Sequence, residues 1–308
     1  MSSRPCAGMP PVSNAFARPA EPSRLSPHDG ATTGPARQGG SCSFCRSKAM
    51  SHCMTFRTFG VGHSRVFILS PVMPVWDEGG FARPLIEHFT AAGFQVTVFD
   101  SLSLPVVPGE GFGAFAESWA CALEPWGVPD VLVGVALGGA LVQALAGTSF
   151  LQSTPALLLL SSPAKADGLL DSRLGHMADL AEQGHVEQAR HLLDNLVLPD
   201  GQVHERADPA GHESDATLSM QGQRLTVGFR LLAGVDLSEC LLDYQGRVLS
   251  VFGEKSQLVG VRNVLRTRGR KQRSLCVEGG GMRPLADDLQ QVLDSIDAFL
   301  MTRQECVQ

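Results

Sequence analysis

The hydrophobic pattern of residues 55–303 alternates between short apolar runs typical of buried strands and the spacing typical of amphipathic helices. Strands are predicted at 55–59, 65–69, 94–99, 131–135, 156–161, 247–253 and 273–277. Helices are predicted at 81–92, 112–123, 138–146 and 285–301. This alternation predicts an α/β fold, with a mostly parallel sheet and helices on both faces. The first two strands are expected to pair with each other.

No strand pattern occurs between about residues 162 and 247. Apolar residues from Leu174 to Leu196 predict a helical hairpin that is broken at Gly184, and a third helix is predicted at about 215–232. We therefore expect a helical insertion at about 164–240 within one domain that spans 55–308.

Residues 1–54 are rich in Pro, Gly, Ser, Arg and Ala and show no hydrophobic periodicity, which predicts disorder. An arginine- and serine-rich leader also resembles an organelle transit peptide. The interpretation that we prefer is an over-extended reading frame, with translation beginning at Met50 or Met54, directly before the first strand pattern.

Cysteine spacing and composition bear on metal binding, on the compartment and on the source of the chain. Cys42 and Cys45 form one C-x-x-C, but without a second pair at zinc-finger spacing we predict no metal site. Cys121, Cys240 and Cys276 fall in apolar patterns, as expected of small hydrophobic side chains in a reducing cytoplasm. Arginine far outnumbers lysine, a bias that indicates a GC-rich bacterial genome.

The net charge of −6 is unevenly distributed, because the first 65 residues are basic and the remainder is acidic. An acidic folded domain makes nucleic acid an improbable partner. No apolar run reaches the 18 or so residues of a membrane-spanning helix. We therefore predict a cytoplasmic protein without a membrane span.

Three loops that follow predicted strands carry the candidate chemistry. Residues 131–139 read VLVGVALGG, with Gly134, Gly138 and Gly139 around a central Ala136. Residues 253–259 read GEKSQLV, with Ser256 fourth, and residues 279–285 read GGGMRPL, with Met282 fourth.

In order, spacing and setting these loops resemble the nucleophile elbow, acid loop and histidine loop of the α/β-hydrolase superfamily, as in small carboxylesterases with a helical cap. The resemblance implies that Ala136 replaces the nucleophilic serine, Ser256 the aspartate and Met282 the histidine. It implies an α/β-hydrolase fold in which the insertion at 164–240 caps a pocket. The oxyanion hole would use the N–H groups of Leu137 and Val72, because Pro71 has none.

Other interpretations of these residues are weaker. Residues 134–139 lack both the G-x-G-x-x-G pattern and the Lys-Ser/Thr of a nucleotide loop, so no cofactor is predicted. Substitute catalysts are conceivable among Asp77, Glu78, Cys121, Ser161 and Ser162. We expect the two acids to cap a helix that begins near Gly79, and the others to serve in the core or in turns.

Two functional hypotheses follow from the degenerate triad. The first is a non-hydrolytic pseudoenzyme whose capped apolar pocket binds a small acyl- or carbonyl-containing ligand or supports a protein partner. The alternative is a biosynthetic enzyme of another class, such as a cyclase, lyase or acyl-transfer catalyst, that works without a Ser-His-Asp triad. An active serine esterase would need unrecognised residues at all three positions.

Removing residues 1–53 is expected to leave the domain folded, because no periodic apolar segment in that stretch could dock on a core. The thermal midpoints of the full-length and shortened chains should agree within about 5 °C. A larger decrease on deletion would show that the leader packs against the domain.

Overall fold

The computed structural model describes residues 54–107, 109–203, 213–265 and 271–301. Within these ranges one sheet contains the strands β1 (Phe56–Phe59), β2 (Arg65–Leu69), β3 (Gln95–Phe99), β4 (Val131–Val135), β5 (Ala156–Leu160), β6 (Arg247–Gly253) and β7 (Gln272–Val277). Their order across the sheet is β1-β3-β2-β4-β5-β6-β7. All neighbours are parallel except β1 and β3. The predicted α/β class is confirmed.

The helices in the described ranges are α1 (Arg83–Ala91), α2 (Phe112–Leu123), α3 (Leu137–Ala144), α4 (Ser149–Ser153), α5 (Gly168–Glu182), α6 (Val186–Leu196), α7 (Asp215–Leu232), α8 (Pro284–Asp287) and α9 (Leu289–Met301). They cover both faces of the sheet. Leu132 on β4 belongs to a core with α2, α3 and the helices α5–α7, whereas the neighbouring Val133 belongs to a core with α1 and α9. Both faces of the central strands are therefore buried, which explains their nearly continuous apolar sequence.

The expected pairing of the first two strands is wrong. β1 pairs antiparallel with β3, with Arg57 opposite Val98. β2 lies between β3 and β4 and is parallel to both. Because both edges of β2 are used by parallel partners, β1 occupies the outer edge of β3 instead.

Two predicted helices are interrupted. The segment predicted at 81–92 begins as a single 3-10 turn, Gly80–Ala82, before α1. The segment predicted at 285–301 is divided at Asp288, which has non-helical φ and ψ of −149° and 85°. The Asp288 carboxylate accepts a hydrogen bond from the Gln291 N–H at 3.0 Å. The break is thus a new helix start, with Asp288 as its capping side chain.

Three helices, α5 to α7, lie between β5 and β6, where the sequence predicted a helical insertion. The starts of α5 and α7 are capped by side chains, since Asp167 accepts from the Leu170 N–H and Ser214 from the Thr217 N–H. Gly184 has a φ of 86° at the predicted break of the hairpin, a conformation that glycine adopts without strain. The predicted leader, except for Met54, and the C-x-x-C segment lie outside the described residues.

The expectation that three cysteines act as buried hydrophobic residues is wrong. Cys121, Cys240 and Cys276 are all exposed. Cys276 lies on the sheet-edge strand β7, which has a partner on one side only. In α2, the apolar face that is buried is formed by Phe115, Trp119 and Leu123, so Cys121 points away from the core.

Candidate ligand site

The turn between β4 and α3 holds Ala136 in a strained conformation. Its φ and ψ are 47° and −107°, outside the regions that residues with a Cβ normally occupy. The Ala136 N–H donates to the Leu160 carbonyl at 3.0 Å, and the Ala136 carbonyl accepts from the Gly139 N–H at 3.0 Å. These bonds fix a sharp strand-to-helix turn of the kind that presents a side chain at the end of a sheet.

Close contacts with backbone atoms or with one side chain require glycine at three positions in and beside this turn. A Cβ on Gly134 would lie 2.3 Å from the Gly139 Cα, and one on Gly138 would lie 2.2 Å from the Leu69 carbonyl oxygen. A Cβ on Gly139 would lie 1.6 Å from the Ser162 Oγ. Since none of these contacts leaves room for a methyl group, the glycine pattern around Ala136 follows from packing.

Two backbone N–H groups near Ala136 have no acceptor within the part of the chain that the structure describes. Leu137 is the first residue of α3, so its N–H has no intrahelical partner. The Val72 N–H in the loop after β2 is the second. The Gly138 N–H, by contrast, donates to the Ser70 carbonyl at 3.1 Å, which ties that loop to the elbow.

A cavity of about 600 Å³ opens beside Ala136. Its lining is mostly apolar and comes from the sheet-end loops and from the helical insertion. The apolar side chains from the insertion are Leu170, Leu174, Leu193, Val197, Phe229 and Leu232. The charged side chains in the lining, which are those of Asp77, Asp194 and Arg283, are all exposed. The interior is therefore apolar and its mouth is charged.

Met282 lines the same cavity as Ala136. Its Sδ accepts a hydrogen bond from the Val259 N–H at 3.3 Å, and its own N–H donates to the Val197 carbonyl at 3.0 Å. The thioether is partly buried against the core. Met282 thus fills space and joins two loops, and it offers the cavity no group that could accept a proton at neutral pH.

Ser256 lies beside the Met282 loop but is absent from the described residues that line the cavity. The Lys255 N–H donates to the Gly280 carbonyl at 2.8 Å, and Ser256 forms an isolated bridge with Pro199. The Ser256 Oγ is buried and has no hydrogen-bond partner within the described ranges. The structure therefore brings Ala136 and Met282 together at the cavity and places Ser256 behind the methionine loop.

The two acids that could have served as substitute catalysts were expected to cap a helix near Gly79. The Asp77 carboxylate accepts from the Gly79 and Phe81 N–H groups at 3.0 and 2.7 Å, the capping role that was predicted for it. The same expectation is wrong for Glu78, whose side chain forms an exposed ion pair with Arg57 instead. Neither carboxylate is placed as a general base.

Two serines follow β5, close to the elbow. The Ser162 Oγ donates to the Gly134 and Leu160 carbonyls at 3.1 and 3.2 Å, so it supports the elbow. Ser161 has a positive φ of 44° and a buried Oγ with no partner in the described part of the chain. It does not line the cavity with Ala136. No cluster of three metal-binding side chains occurs in the described ranges.

The loop that carries Met282 is held by Asp287. Its carboxylate accepts a hydrogen bond from the Gly281 N–H at 2.8 Å. Burial raises the pKa of the Asp287 carboxyl above its ordinary value, and the bond from Gly281 and the charge of Arg283 partly oppose this increase. Because a charged carboxylate is the better acceptor, the bond to Gly281 should weaken as the pH falls through the raised pKa.

The sequence interpretation missed the polar residues that join the insertion to the loop after β2. Arg224 on α7 donates to both oxygens of Asp100 at 2.9 and 3.0 Å and to the Met73 carbonyl at 3.1 Å. Asp100 follows β3 directly, and a carboxylate at a strand end was the available signal. Its partner could not be identified, because 124 residues separate the two in sequence.

No protein-family model and no curated protein sequence matches the chain. Solved structures do match its fold. A bromoperoxidase from Bacillus anthracis has 14% identity and a TM-score of 0.62, with 80% of this chain and 95% of that chain covered. A hydrolase from Pseudomonas aeruginosa has 16% identity and a TM-score of 0.63, covering 80% and 94%. An esterase from Exiguobacterium antarcticum has 12% identity and a TM-score of 0.59, covering 80% and 95%.

These neighbours share the parallel sheet and its flanking helices with this chain over most of their own length. Among the described residues, no helix is both long enough and apolar enough to cross a bilayer. At such low identities the similarity concerns the fold and not the chemistry. The chain has the α/β-hydrolase fold.

Proposed function

We propose that this protein is a non-hydrolytic member of the α/β-hydrolase fold class that binds a small acyl- or carbonyl-containing ligand. The helices α5 to α7 act as the cap of its apolar cavity. The observation that carries the proposal is the strained strand-to-helix turn at Ala136, which resembles the turn that presents the nucleophile in serine hydrolases of this fold. A strained turn is kept only where the surrounding structure stabilises it, and here it borders a cavity of about 600 Å³.

The proposed absence of hydrolysis rests on the three side chains at the triad positions. Ala136 has no nucleophilic atom, Met282 cannot act as a base, and Ser256 cannot stabilise an imidazolium ion. The Asp77 and Asp194 side chains that line the cavity are exposed, and neither is paired with a nucleophilic side chain in the described lining. The site therefore binds without transferring an acyl group.

The proposed ligand class rests on the unpaired N–H groups of Leu137 and Val72. A carbonyl oxygen can accept both hydrogen bonds while its apolar chain occupies the cavity beneath Leu174 and Phe229. The positive end of the α3 dipole favours a partially negative oxygen at this place. The name of the Exiguobacterium antarcticum esterase is consistent with an acyl ligand.

A cytoplasmic location belongs to the same proposal. Cys240 and Cys276 are exposed thiols outside any disulfide. Exposed thiols persist in a reducing compartment and are oxidised in a secretory one.

Methyl hexanoate and hexyl methyl ether test the ligand class, because they differ only by replacement of the carbonyl with a methylene. Isothermal titration should show that the ester binds about tenfold more tightly, as one or two net hydrogen bonds predict. Replacement of Leu193→Trp should fill the cavity and weaken binding of both compounds. Equal affinities for the ester and the ether would contradict the proposed ligand class.

The matched control is Gln188→Trp, which adds the same side chain to an exposed position of the same helix. Gln188 does not line the cavity, so this variant should bind both compounds as the wild type does. If it loses binding equally, the effect of Leu193→Trp does not report on the cavity.

A further inference from the structure

One ion pair crosses from α7 of the insertion to the loop that carries Val72. Arg224 holds the Asp100 carboxylate with two hydrogen bonds, and its Nε donates to the Met73 carbonyl at 3.1 Å. The Asp100 side chain is 3% exposed and the Arg224 side chain 22%. A buried bidentate pair is geometrically specific, since a guanidinium fork and a carboxylate have one good relative orientation.

Asp100 is itself held firmly at the end of β3. Its backbone N–H donates to the Thr55 carbonyl at 2.9 Å, and its Oδ1 accepts from the Leu102 N–H at 3.1 Å. Arg224 therefore binds a fixed anchor in the sheet. The position of Arg224 then fixes the position of the Met73 carbonyl.

The loop after β2 is also tied at its other end. The Ser101 Oγ donates to the Ser70 carbonyl at 2.8 Å, and the Ser70 Oγ accepts from the Ser101 N–H at 2.9 Å. Val72 lies between Ser70 and Met73, so the peptide that carries its unpaired N–H is held from both sides. One side belongs to the sheet and the other to the insertion.

A close helix contact lies one turn further along α7. A Cβ on Gly228 would lie 2.7 Å from both methyl carbons of Val72, so the α7 backbone rests directly on this side chain. Residues 224 and 228 share one face of the helix. Phe229 and Leu232 of the same helix line the cavity.

We propose that Arg224 is a positioning residue for ligand binding: it fixes the Val72 N–H at the distance and angle that a carbonyl oxygen requires. This inference rests on the proposed function, because it assigns a role within the same site. Arg224 does not touch the ligand and acts through Met73. Loss of its bonds should therefore weaken recognition of the carbonyl more than occupation of the apolar cavity.

The test is the ratio of the affinities for methyl hexanoate and hexyl methyl ether in the full-length protein. Arg224→Lys keeps the positive charge but loses the bidentate geometry and the Nε donor. The ester-to-ether affinity ratio is expected to fall about threefold or more, because the Val72 hydrogen bond is weakened while the Leu137 hydrogen bond remains. Binding of the ether should change less than about twofold, because the apolar lining is unaltered.

Asp100→Asn is the second variant, for use if Arg224→Lys does not fold. It leaves the partly exposed guanidinium in place and weakens the anchor, so the ratio should fall in the same direction. The matched control is Arg230→Lys, which alters an exposed ion pair of the same helix with Asp179 and Glu182. Its affinity ratio should equal that of the wild type.

The two proposals fail in distinguishable ways. If the wild type binds the ester and the ether equally, the proposed ligand class fails, and this inference fails with it. If the wild type prefers the ester but Arg224→Lys and Asp100→Asn keep the ratio within about twofold, the positioning role of Arg224 is overturned and the ligand class stands. A decrease of the ratio in Arg230→Lys equal to that in Arg224→Lys would also overturn it.

Discussion

The triple variant Ala136→Ser, Ser256→Asp, Met282→His is expected to hydrolyse para-nitrophenyl butyrate, whereas the unmodified protein and Ala136→Ser alone are not. In a serine hydrolase the triad acts as a unit that contributes about a millionfold to kcat, so restoring one member restores almost nothing. The elbow turn at Ala136 already has the geometry that presents a hydroxyl to the cavity. Initial rates of the triple variant should exceed those of the single variant by about a hundredfold or more.

The contacts of Met282 set the outcome for the imidazole. The Met282 side chain lies at the cavity with its Sδ 3.3 Å from the Val259 nitrogen. A histidine there acts as the base only when its acceptor nitrogen faces position 136 and not the Val259 N–H. The buried position of Ser256 beside the Met282 loop gives a new carboxylate little access to water. An aspartate there would accept a hydrogen bond from the imidazole and stabilise the imidazolium that forms during the reaction, which is the role of the third triad member.

The matched control is the variant with Ala136→Ser, Ser256→Asp and Met282→Gln, which has a polar side chain at position 282 but no base. It should not hydrolyse the ester, and neither it nor the wild type should react with a fluorophosphonate probe. Hydrolysis by the unmodified protein that is abolished by Ser161→Ala would refute the pseudoenzyme proposal. That outcome would assign the chemistry to the buried, strained serine after β5.

The sequence was sufficient to predict the parallel sheet and the helix α7 at 215–232, because both depend on local hydrophobic periodicity. It was not sufficient for the partner of β1, which depends on which sheet edge remains free after β2 takes two parallel neighbours. The exposure of Cys121 was missed for a related reason. An apolar stretch of helix does not reveal which of its faces meets the core when most of its residues are small.

In the candidate site too, some features could be predicted from the sequence and others could not. The strand-to-helix turn at Ala136, between Gly134 and Gly138, could be predicted because a strained turn needs specific residues at fixed spacing. The cavity lining and the Arg224–Asp100 pair could not, because they join segments far apart in sequence. Interactions of that kind are selected by three-dimensional packing and leave no local pattern.

The variants Gly134→Ala and Gly138→Ala are expected to be strongly destabilising. Each new Cβ would meet backbone atoms, at 2.3 Å from the Gly139 Cα and 2.2 Å from the Leu69 carbonyl oxygen. Main-chain atoms of the central sheet and of the helix packed on it cannot move aside as a side chain can, so the cost should reach or exceed the roughly 3 kcal/mol typical of severe overpacking. The thermal midpoint of either variant should fall by about 10 °C in a domain of this size.

Gly175→Ala is the matched control for the chemical change itself. Gly175 lies within α5, and a Cβ there would meet no atom within 4 Å. Alanine has the higher helix propensity, so this variant should be more stable by about 0.5–1 kcal/mol. If the midpoint of Gly138→Ala differs from that of the wild type by no more than the midpoint of Gly175→Ala does, the elbow tolerates a methyl group.

Gly139→Ala allows the cause of the destabilisation to be tested by relief of a single contact. Its new Cβ would lie 1.6 Å from the Ser162 Oγ and 2.3 Å from the Ser162 Cβ, so the obstacle is one side chain. In the double variant with Ser162→Gly this obstacle is absent, and the two substitutions should be less destabilising together than the sum of their separate effects. Chemical denaturation of the four proteins measures this coupling. Additive effects would mean that Ser162 is not the obstacle to a methyl group at position 139. The close packing of α3 against the end of β5 would then not explain why glycine is required there.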